Sequence, residues 1–240
     1  MKKILTLIVL ALVMSSNMPG VTFSDFSTFQ TETALNPFAK DLGACLGGGF
    51  FSGNNPGFPG VDISGKFVML ANASTDDPII PANTLIALPY AQAEVGLPMD
   101  IVLIARGMAL TVDGTSILLV GGGVKYKLLN DAAILPGIAA FATYNMISGI
   151  ADFDASTISF NLAISKSLSP LPVALFIYGG MDSTTVSSKV LGFTTLKGTA
   201  TTYRVNAGVR FTPFPLFYVA GDMSLFSTTT AYNISAGFSF

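Results

Sequence analysis

The residues of this chain that could act in catalysis or bind a metal ion are few and scattered. The sequence has no histidine and a single cysteine, Cys45, so it lacks the usual general base and the usual zinc ligands. A Ser/Lys site or a pair of carboxylates stays open, but no spacing singles one out. Oxygen ligands for calcium could come from Asp76, Asp77, Asp152 and Asp154, although loop aspartates are commonly solvated. The sequence therefore indicates a protein that is not an enzyme and has no cofactor or metal site.

A second group of polar residues recurs at alternate positions of otherwise apolar segments. Alternation puts every second side chain on one face of a β-strand, and such a face could line a pathway for a solute. The predicted lining residues are Lys66, Gln92, Glu94, Arg106, Lys125, Lys127, Asn161, Arg204, Asn206, Arg210 and Asp222. Their slight basic excess would favour anionic solutes. Alternatively, they pair with one another through Glu94 and Asp222 and fill a narrow interior.

The elements that carry these residues are predicted to be strands. In residues 158–165 and 203–211, apolar side chains alternate with small or polar ones, which is typical of a strand with one apolar face. The same period, with more noise, predicts ten strands near residues 61–72, 87–97, 99–111, 115–128, 136–147, 155–166, 171–182, 200–212, 215–227 and 230–240.

The connections between these strands fall into two alternating sets. One set is short or contains proline, as at residues 96–98 and 212–215. The other set is polar and includes the two longest connections, residues 72–84 and 183–198. Short turns at one end and loops at the other are typical of an up-and-down barrel that spans a membrane.

The composition indicates what surrounds such a barrel. Half of the residues are hydrophobic and 11% are charged, against about 25% charged in soluble domains. No further apolar run is long enough to predict a membrane-spanning helix. A net charge of -2 without a broad basic face argues against binding to nucleic acid. The fold class we predict is all-β, an antiparallel transmembrane barrel of about ten strands with lipid outside and polar residues inside.

The first residues predict export from the cytoplasm. Lys2 and Lys3 precede an apolar run at residues 4–14 and then small residues, which is typical of a signal peptide, and we place its end near residue 24. Residues 42–45 superficially match a lipid-attachment box that ends at Cys45. The charged pair Lys40 and Asp41 and the distance from the apolar run argue against that alternative.

A short helix is predicted between the signal peptide and the first strand. Asn36 can cap it with Pro37 at its first position, and Phe38 and Leu42 then share a face until the glycines at residues 47–49. Lys40 and Asp41 lie within the same helix. A helix this short needs a docking surface, so we expect residues 25–60 to plug the barrel formed by residues 61–240, either at its periplasmic mouth or inside its lumen.

Four stretches carry a family resemblance. LNPFAKDLGACLGGGFF, GFPGVDI, YGGMDSTT and PFPLFYVAGDM resemble an uncharacterised family of bacterial outer-membrane β-barrel proteins. A more distant similarity is to the long-chain fatty-acid transporter group, which also has a helical Asn-Pro segment before its barrel. The resemblance implies the fold and a location in the outer membrane of a Gram-negative bacterium, and it implies no activity.

The chain ends in an alternating segment, YNISAGFSF, with an aromatic residue last. The resemblance implies that Tyr232, Ile234, Phe238 and Phe240 form the signal by which the barrel-assembly machinery recognises such chains.

Two functional hypotheses follow. The first is a narrow or gated, porin-like channel, transporter or binder for a small or amphipathic ligand. The alternative is a structural or adhesion barrel that transports nothing and acts through residues 72–84 and 183–198 outside the cell. Both place the protein among outer-membrane lipids.

Overall fold

The computed structural model describes residues 31–53, 56–71, 73–80, 85–112, 115–149, 153–190, 194–225 and 230–240. The predicted signal peptide lies outside this set. The elements are one helix and ten strands, namely α1 (Glu32–Gly47), β1 (Val61–Leu70), β2 (Ile86–Gly96), β3 (Ile101–Val112), β4 (Thr115–Leu129), β5 (Gly137–Ser148), β6 (Phe153–Ser167), β7 (Val173–Val190), β8 (Thr194–Phe214), β9 (Phe217–Leu225) and β10 (Thr230–Ser239).

The ten strands form a closed antiparallel barrel in which sequential strands are neighbours. The first and last strands close it, with Asp62 opposite Ser239 and Leu70 opposite Ala231. The predicted fold class is thereby confirmed. The strand boundaries mostly lie within a few residues of those predicted, because the alternation of apolar and polar residues was clear in most segments.

The outer surface of the barrel is apolar. On β6 the side chains of Ile158, Phe160, Leu162 and Ile164 point outward, each about half exposed, whereas Ser159 and Asn161 between them are buried. The other strands follow the same rule, so the outward apolar side chains form a surface much larger than a soluble protein leaves uncovered. Such an exterior is the one that a bilayer covers. Among the described residues, no helix has the length and apolar character needed to cross a membrane.

One long connection of the prediction is wrong. Residues 183–198 were expected to form a polar loop, but β7 continues to Val190 and β8 starts at Thr194. Their ladder runs without interruption from Val173 opposite Phe211 to Val190 opposite Thr194. Serine and threonine dominate this stretch, and threonine is β-branched and favours strands. The hairpin is polar on both faces, and a polar stretch of this kind resembles a loop in the sequence.

The predicted start of the helix is also wrong. The cap is Thr31, whose hydroxyl accepts a hydrogen bond from the Ala34 N–H at 3.3 Å. Pro37 lies inside the helix, in its second turn. Burial of Ala34 and Leu35 against the barrel stabilises this additional turn. Asn36 contacts a strand instead: its Oδ1 accepts a hydrogen bond from the Thr199 N–H at 2.9 Å.

The other long connection, residues 72–84, does not extend into solvent as a whole. Within it we name residues 73–80 the inner segment, because Ala73, Ser74, Asp77, Ile79 and Ile80 are buried. Ile79 and Ile80 belong to the same apolar cluster as the helix. Residues 72 and 81–84 lie outside the described residues. Burial of these two isoleucines stabilises the inward position of the segment. The polar composition of the rest of the stretch had predicted a solvent-exposed loop.

Candidate functional site

The interior of the barrel is occupied by the chain itself. Helix α1 starts at the loop end, where Leu35 and Asn36 contact Gly198 and Thr199 of β8. After the helix, residues 48–53 continue toward the opposite end, where Gly60 accepts a hydrogen bond from the Gly96 N–H at 2.8 Å. We call residues 32–53 the plug. Of the two alternatives for its location, the structure has the plug in the lumen.

The helix fits into a narrow barrel because one of its faces is made of small residues. Ala39, Gly43 and Gly47 follow one another at intervals of four and therefore share a face. A Cβ atom at Gly43 would collide with Thr184, and one at Gly47 would collide with Asp182 and Arg204. This spacing of small residues is visible in the sequence and indicates a helix face that packs closely.

Three polar side chains of the wall bind main-chain carbonyl groups of the plug. Arg106 donates to the carbonyl oxygens of Leu46 at 3.2 Å and of Gly48 at 2.9 Å. The Phe50 carbonyl oxygen accepts from Lys66 at 3.2 Å and from Gln92 at 2.9 Å. We call Lys66, Gln92 and Arg106 the carbonyl-binding cluster. It satisfies groups that the end of a helix leaves without partners.

Aromatic rings hold the guanidinium of Arg106 from both sides. Its central carbon lies 3.5 Å from the centre of the Phe50 ring and 4.3 Å from that of the Tyr90 ring. The Tyr90 hydroxyl donates to the Cys45 carbonyl oxygen at 3.1 Å. Stacking of this kind suits arginine better than lysine. Arg106 therefore contacts the plug near the end of the helix through both hydrogen bonds and ring stacking.

Two buried ion pairs lie beside the plug. Lys125 donates to Glu94 at 2.7 Å, and Glu94 also accepts from Gln92 at 2.8 Å. On the other side of the barrel Arg204 pairs with Asp182 and donates to Asn161 at 2.9 Å. Glu94 thus pairs with a basic residue of the lumen, as predicted by the alternative in which the lining residues fill a narrow interior. Charged pairs of this kind are tolerated in a lumen but not on the lipid side.

Asp222, by contrast, forms no ion pair with any residue that the structure describes. Its Oδ1 accepts hydrogen bonds from Asn206 at 2.8 Å, from Asn233 at 2.6 Å and from the Tyr178 hydroxyl at 3.3 Å. Both amide nitrogens also contact Ser224. This polar network fills the interior between β8, β9 and β10.

Near the turn end of the barrel, Arg210 stacks on Tyr218 with 3.5 Å between the guanidinium carbon and the ring centre. It lies 3.7 Å from Asp62 and donates weakly to the Ser52 carbonyl oxygen at 3.4 Å. A cleft of about 340 Å³ opens beside Arg210 toward the turns. Lys127 lies nearer the rim than Lys125 and pairs with Asp100 of the β2–β3 turn at 3.2 Å.

The sequence analysis missed several interior residues. Asp62, Tyr90, Tyr178, Asp182 and Tyr218 all point inward and bind the predicted lining residues or the plug. The period of two would have found Asp62, because it lies four residues before Lys66 on β1. Asp182 stands at the end of a predicted strand, and a tyrosine is largely apolar apart from its hydroxyl group, so neither residue type shows the polar alternation that predicts the other lining residues.

The barrel wall is split between β2 and β3 at the loop end. The β2–β3 ladder consists of six residue pairs and ends at Ala91 opposite Gly107. Beyond it, residues 86–90 of β2 pair with β1 and residues 108–112 of β3 pair with β4. In the described part of the chain no ladder pair joins these two stretches, which we call the seam. Pro89, which has no N–H, lies within it.

The seam is closed by side chains. Ile86, Leu88 and Met108 are partly buried and pack against the apolar cluster that contains the plug helix. Arg106 immediately precedes the last paired residue, Gly107. A cationic group inside the barrel and an apolar, incompletely bonded stretch of wall are therefore adjacent.

The remaining predicted residues of the helix contribute to packing and to the loop end. Phe38 and Leu42 belong to the apolar cluster, and Lys40 and Pro37 are half-buried. Asp41 is fully buried, and its Oδ2 accepts a hydrogen bond from the Ser74 N–H of the inner segment at 2.6 Å.

The aspartates considered for calcium do not converge. Asp76 and Asp154 are exposed and Asp77 is buried, whereas Asp152 lies outside the described residues. Within those residues, no group of three or more acidic, thiol or imidazole side chains could hold a metal ion.

The C-terminal residues predicted to act in assembly face outward. Tyr232, Ile234, Phe238 and Phe240 are each between about two fifths and two thirds exposed. The Phe238 ring contacts that of Phe217 at 5.4 Å and that of Phe240 at 6.4 Å between centres. These aromatic rings form a patch at the turn end of the barrel.

Comparison with protein families gives one match. A family of unknown function, DUF6588, matches residues 78–240, which is more than half of the chain. The chain belongs to this family. The matched region starts in the inner segment and covers β2 to β10, so the DUF6588 match does not include the plug or β1. No curated protein matches the sequence.

Solved structures resemble the barrel only distantly. The N-terminal β-barrel domain of OprF from Pseudomonas aeruginosa is 10% identical, covering 75% of this chain and 97% of its own, with a TM-score of 0.41. The outer membrane protease OmpT from Escherichia coli is 12% identical over 75% and 95%, with a TM-score of 0.41. Ail, the attachment invasion locus protein of Yersinia pestis, is 12% identical over 76% and 99%, with a TM-score of 0.35.

Proposed function

We propose that this chain is a barrel of a Gram-negative outer membrane that admits a small amphipathic anion past its plug. The apolar exterior supports the membrane setting. The barrel end that carries the short turns and Phe240 would face the periplasm, and the loop end would face outward. Residues 1–24 would serve as the signal peptide, and outer-membrane lipid and the barrel-assembly machinery would be the partners.

The observation that carries this proposal is the position of Arg106 beside the seam. An amphipathic ligand needs an apolar surface for its chain and a charged or polar group for its head. Ile86, Leu88 and Met108 supply the apolar surface, and Arg106 supplies a guanidinium suited to a carboxylate. A ligand with its head at Arg106 would have its chain along the seam, next to lipid.

The contacts of Arg106 also suggest how a ligand would displace the plug. Its hydrogen bonds to Leu46 and Gly48 have neutral carbonyl oxygens as acceptors. A carboxylate adds the attraction between two full charges and can accept two parallel N–H bonds from one guanidinium, so it would compete with these carbonyl groups. Loss of both contacts would free the plug at the residues where the helix ends.

A disulfide across the seam tests the proposal. We would combine Pro89→Cys and Ala109→Cys with Cys45→Ala, because residues 89 and 109 are the next-but-one pair beyond Ala91 and Gly107. The probe is dansyl-labelled undecanoic acid, whose fluorescence rises in an apolar site. We expect oxidation to slow its entry into the refolded barrel and dithiothreitol to restore the rate.

The matched control is Val95→Cys with Leu103→Cys in the same background, since these residues are already opposite each other in the β2–β3 ladder. Oxidation of this pair should leave the entry rate unchanged. Equal rates for the oxidised and reduced seam variant would exclude the seam as the route. Absence of probe binding to the reduced variant and to the unmodified chain would refute the ligand class.

The distant resemblance to the long-chain fatty-acid transporter group agrees with a ligand of this kind and stays a prediction. The alternative, a structural or adhesion barrel, is favoured by one observation. Among the described residues, residues 194–204 of β8 lie beyond its last pair with β9, Val205 opposite Leu225, so the β8 side of the β7–β8 hairpin extends past β9. If no probe enters and removal of the hairpin tip abolishes surface adhesion, the alternative replaces our proposal.

A further inference from the structure

Two buried carboxyl groups meet where the inner segment covers the plug. Asp41 of α1 is fully buried and Asp77 of the inner segment is 5% exposed. Both approach Ser74: Asp41 accepts from its N–H, and the Asp77 N–H donates to its carbonyl oxygen at 3.1 Å, so the two carboxyl groups lie close together. Oδ1 of Asp41 and Oδ2 of Asp77 are buried and have no hydrogen-bond partner among the described residues.

The opposite oxygen atoms of both groups are fixed by the main chain. Asp41 Oδ2 accepts from the Ser74 N–H at 2.6 Å. Asp77 Oδ1 accepts from the Ile79 N–H at 2.8 Å and from the Ile80 N–H at 3.1 Å. Both side chains are therefore held in place, and each is left with one buried oxygen atom that has no partner among the described residues.

Few charged groups surround this pair. Lys40 and the Cys45 thiol, both on α1, are the other titratable groups that act on Asp41. Among the described residues, Asp41 is the titratable group that acts on Asp77, and the neighbouring Asp76 is exposed to solvent. Burial, with a smaller effect from the charge of Asp41, raises the pKa of Asp77 to about 6 against the opposing effect of the Ile79 and Ile80 N–H groups.

Two carboxylates that lie close together in a buried site cannot both stay ionised without a large cost in free energy. A proton shared between them removes this cost. We propose that Asp41 and Asp77 share one proton, and that this proton latches the inner segment onto the plug and closes the loop end of the barrel. The latch does not depend on the barrel carrying a ligand.

The sign of the pH dependence follows from the raised pKa. The closed form binds the proton more tightly than an open form in which Asp77 is in water. Closure is therefore fully favoured below about pH 4 and is lost as the pH rises through about 6. A difference of about two pKa units corresponds to a change of up to about 100-fold in the closed-to-open equilibrium.

The test measures how accessible the inner segment is in the refolded full chain. Ile80→Cys and, separately, Thr75→Cys are placed in a Cys45→Ala background and treated with a maleimide. Residue 80 is buried and residue 75 is exposed. Dividing the labelling rate at residue 80 by the rate at residue 75 removes the effect of pH on thiol reactivity, because both rates share it. We expect this ratio to rise by up to about 100-fold between pH 4 and pH 8, with a midpoint near 6.

Substitutions separate the latch from other effects of pH. Asp77→Asn can keep the hydrogen bonds without a proton, so the ratio should stay low at every pH, whereas Asp76→Asn should keep the profile of the parent chain. An unchanged profile in Asp77→Asn, or a ratio that falls with rising pH, would overturn the proposal. So would a ratio at pH 8 that calcium lowers and a chelator raises, since a metal ion would then bridge the carboxylates.

Discussion

The guanidinium of Arg106 lies 2.9 Å from the carbonyl oxygen of Gly48, at the point where the plug helix has just ended. Wall and plug are thus joined by a charged donor and a main-chain acceptor. Such a contact is specific in geometry, and it can be exchanged for a contact with a stronger acceptor.

Arg106→Met should loosen the plug. The change removes the hydrogen bonds to Leu46 and Gly48 but keeps an unbranched side chain between Phe50 and Tyr90. Hydrogen bonds from a charged donor contribute about 1.5–3 kcal/mol each, so we expect a clear rise in ion conductance through planar bilayers. Lys166→Met, at an exposed ion pair with Asp131, is the control and should leave conductance unchanged. Conductance of Arg106→Met equal to that of the parent chain would contradict a role in holding the plug.

Gly43→Leu should displace the helix. A side chain at this position collides with Thr184 of β7, and a narrow barrel has no room to move aside. We expect the folded barrel to persist, because the strands do not depend on residue 43, and proteolysis of the plug to become faster. Thr33→Leu, on an exposed position of the same helix, should change neither property. Resistance of the Gly43→Leu plug equal to that of the parent would show that the fit is not tight.

Lys125→Met should destabilise the barrel more than the double change Lys125→Met with Glu94→Gln. Removing one partner of a buried pair leaves an uncompensated charge, which costs about 3–5 kcal/mol, whereas removing both charges costs much less. The free energy of unfolding in urea, followed by heat-modifiable migration on gels, measures the difference. If the single and double variants unfold at the same urea concentration, the pair is not coupled in the way the 2.7 Å contact suggests.

Removal of Phe240 should lower the amount of folded barrel in the outer membrane. The residue is exposed at the turn end and stacks on Phe238, so its loss removes part of the aromatic patch and leaves the interior untouched. Phe214→Ala removes another exposed aromatic side chain from the same end and serves as the control. Refolding in detergent should be similar for both variants. A normal level of heat-modifiable barrel in cells that express the truncated chain would count against an assembly signal.

The sequence by itself determined the barrel. Alternation of apolar and polar residues specifies which side of each strand faces outward, since a shift by one residue would reverse every side chain. Few charges and a largely apolar composition then allow only lipid outside. The same rule placed Arg106, Lys125, Asn161 and Arg204 inward, because parity along a strand is a local property.

Only the tertiary structure decided what those inward residues contact. Thr31 rather than Asn36 caps the helix because the barrel wall covers the first turn. The sequence does not show that the wall reaches this turn. The seam exists because β2 and β3 stop pairing with each other beyond Ala91, whereas β2 still pairs with β1 and β3 with β4. The point at which two strands stop pairing depends on their register, which the tertiary structure decides. The meeting of Asp41 and Asp77 likewise depends on a helix and a loop segment brought together inside the barrel, where burial and the scarcity of other charges make two ordinary aspartates into a coupled pair.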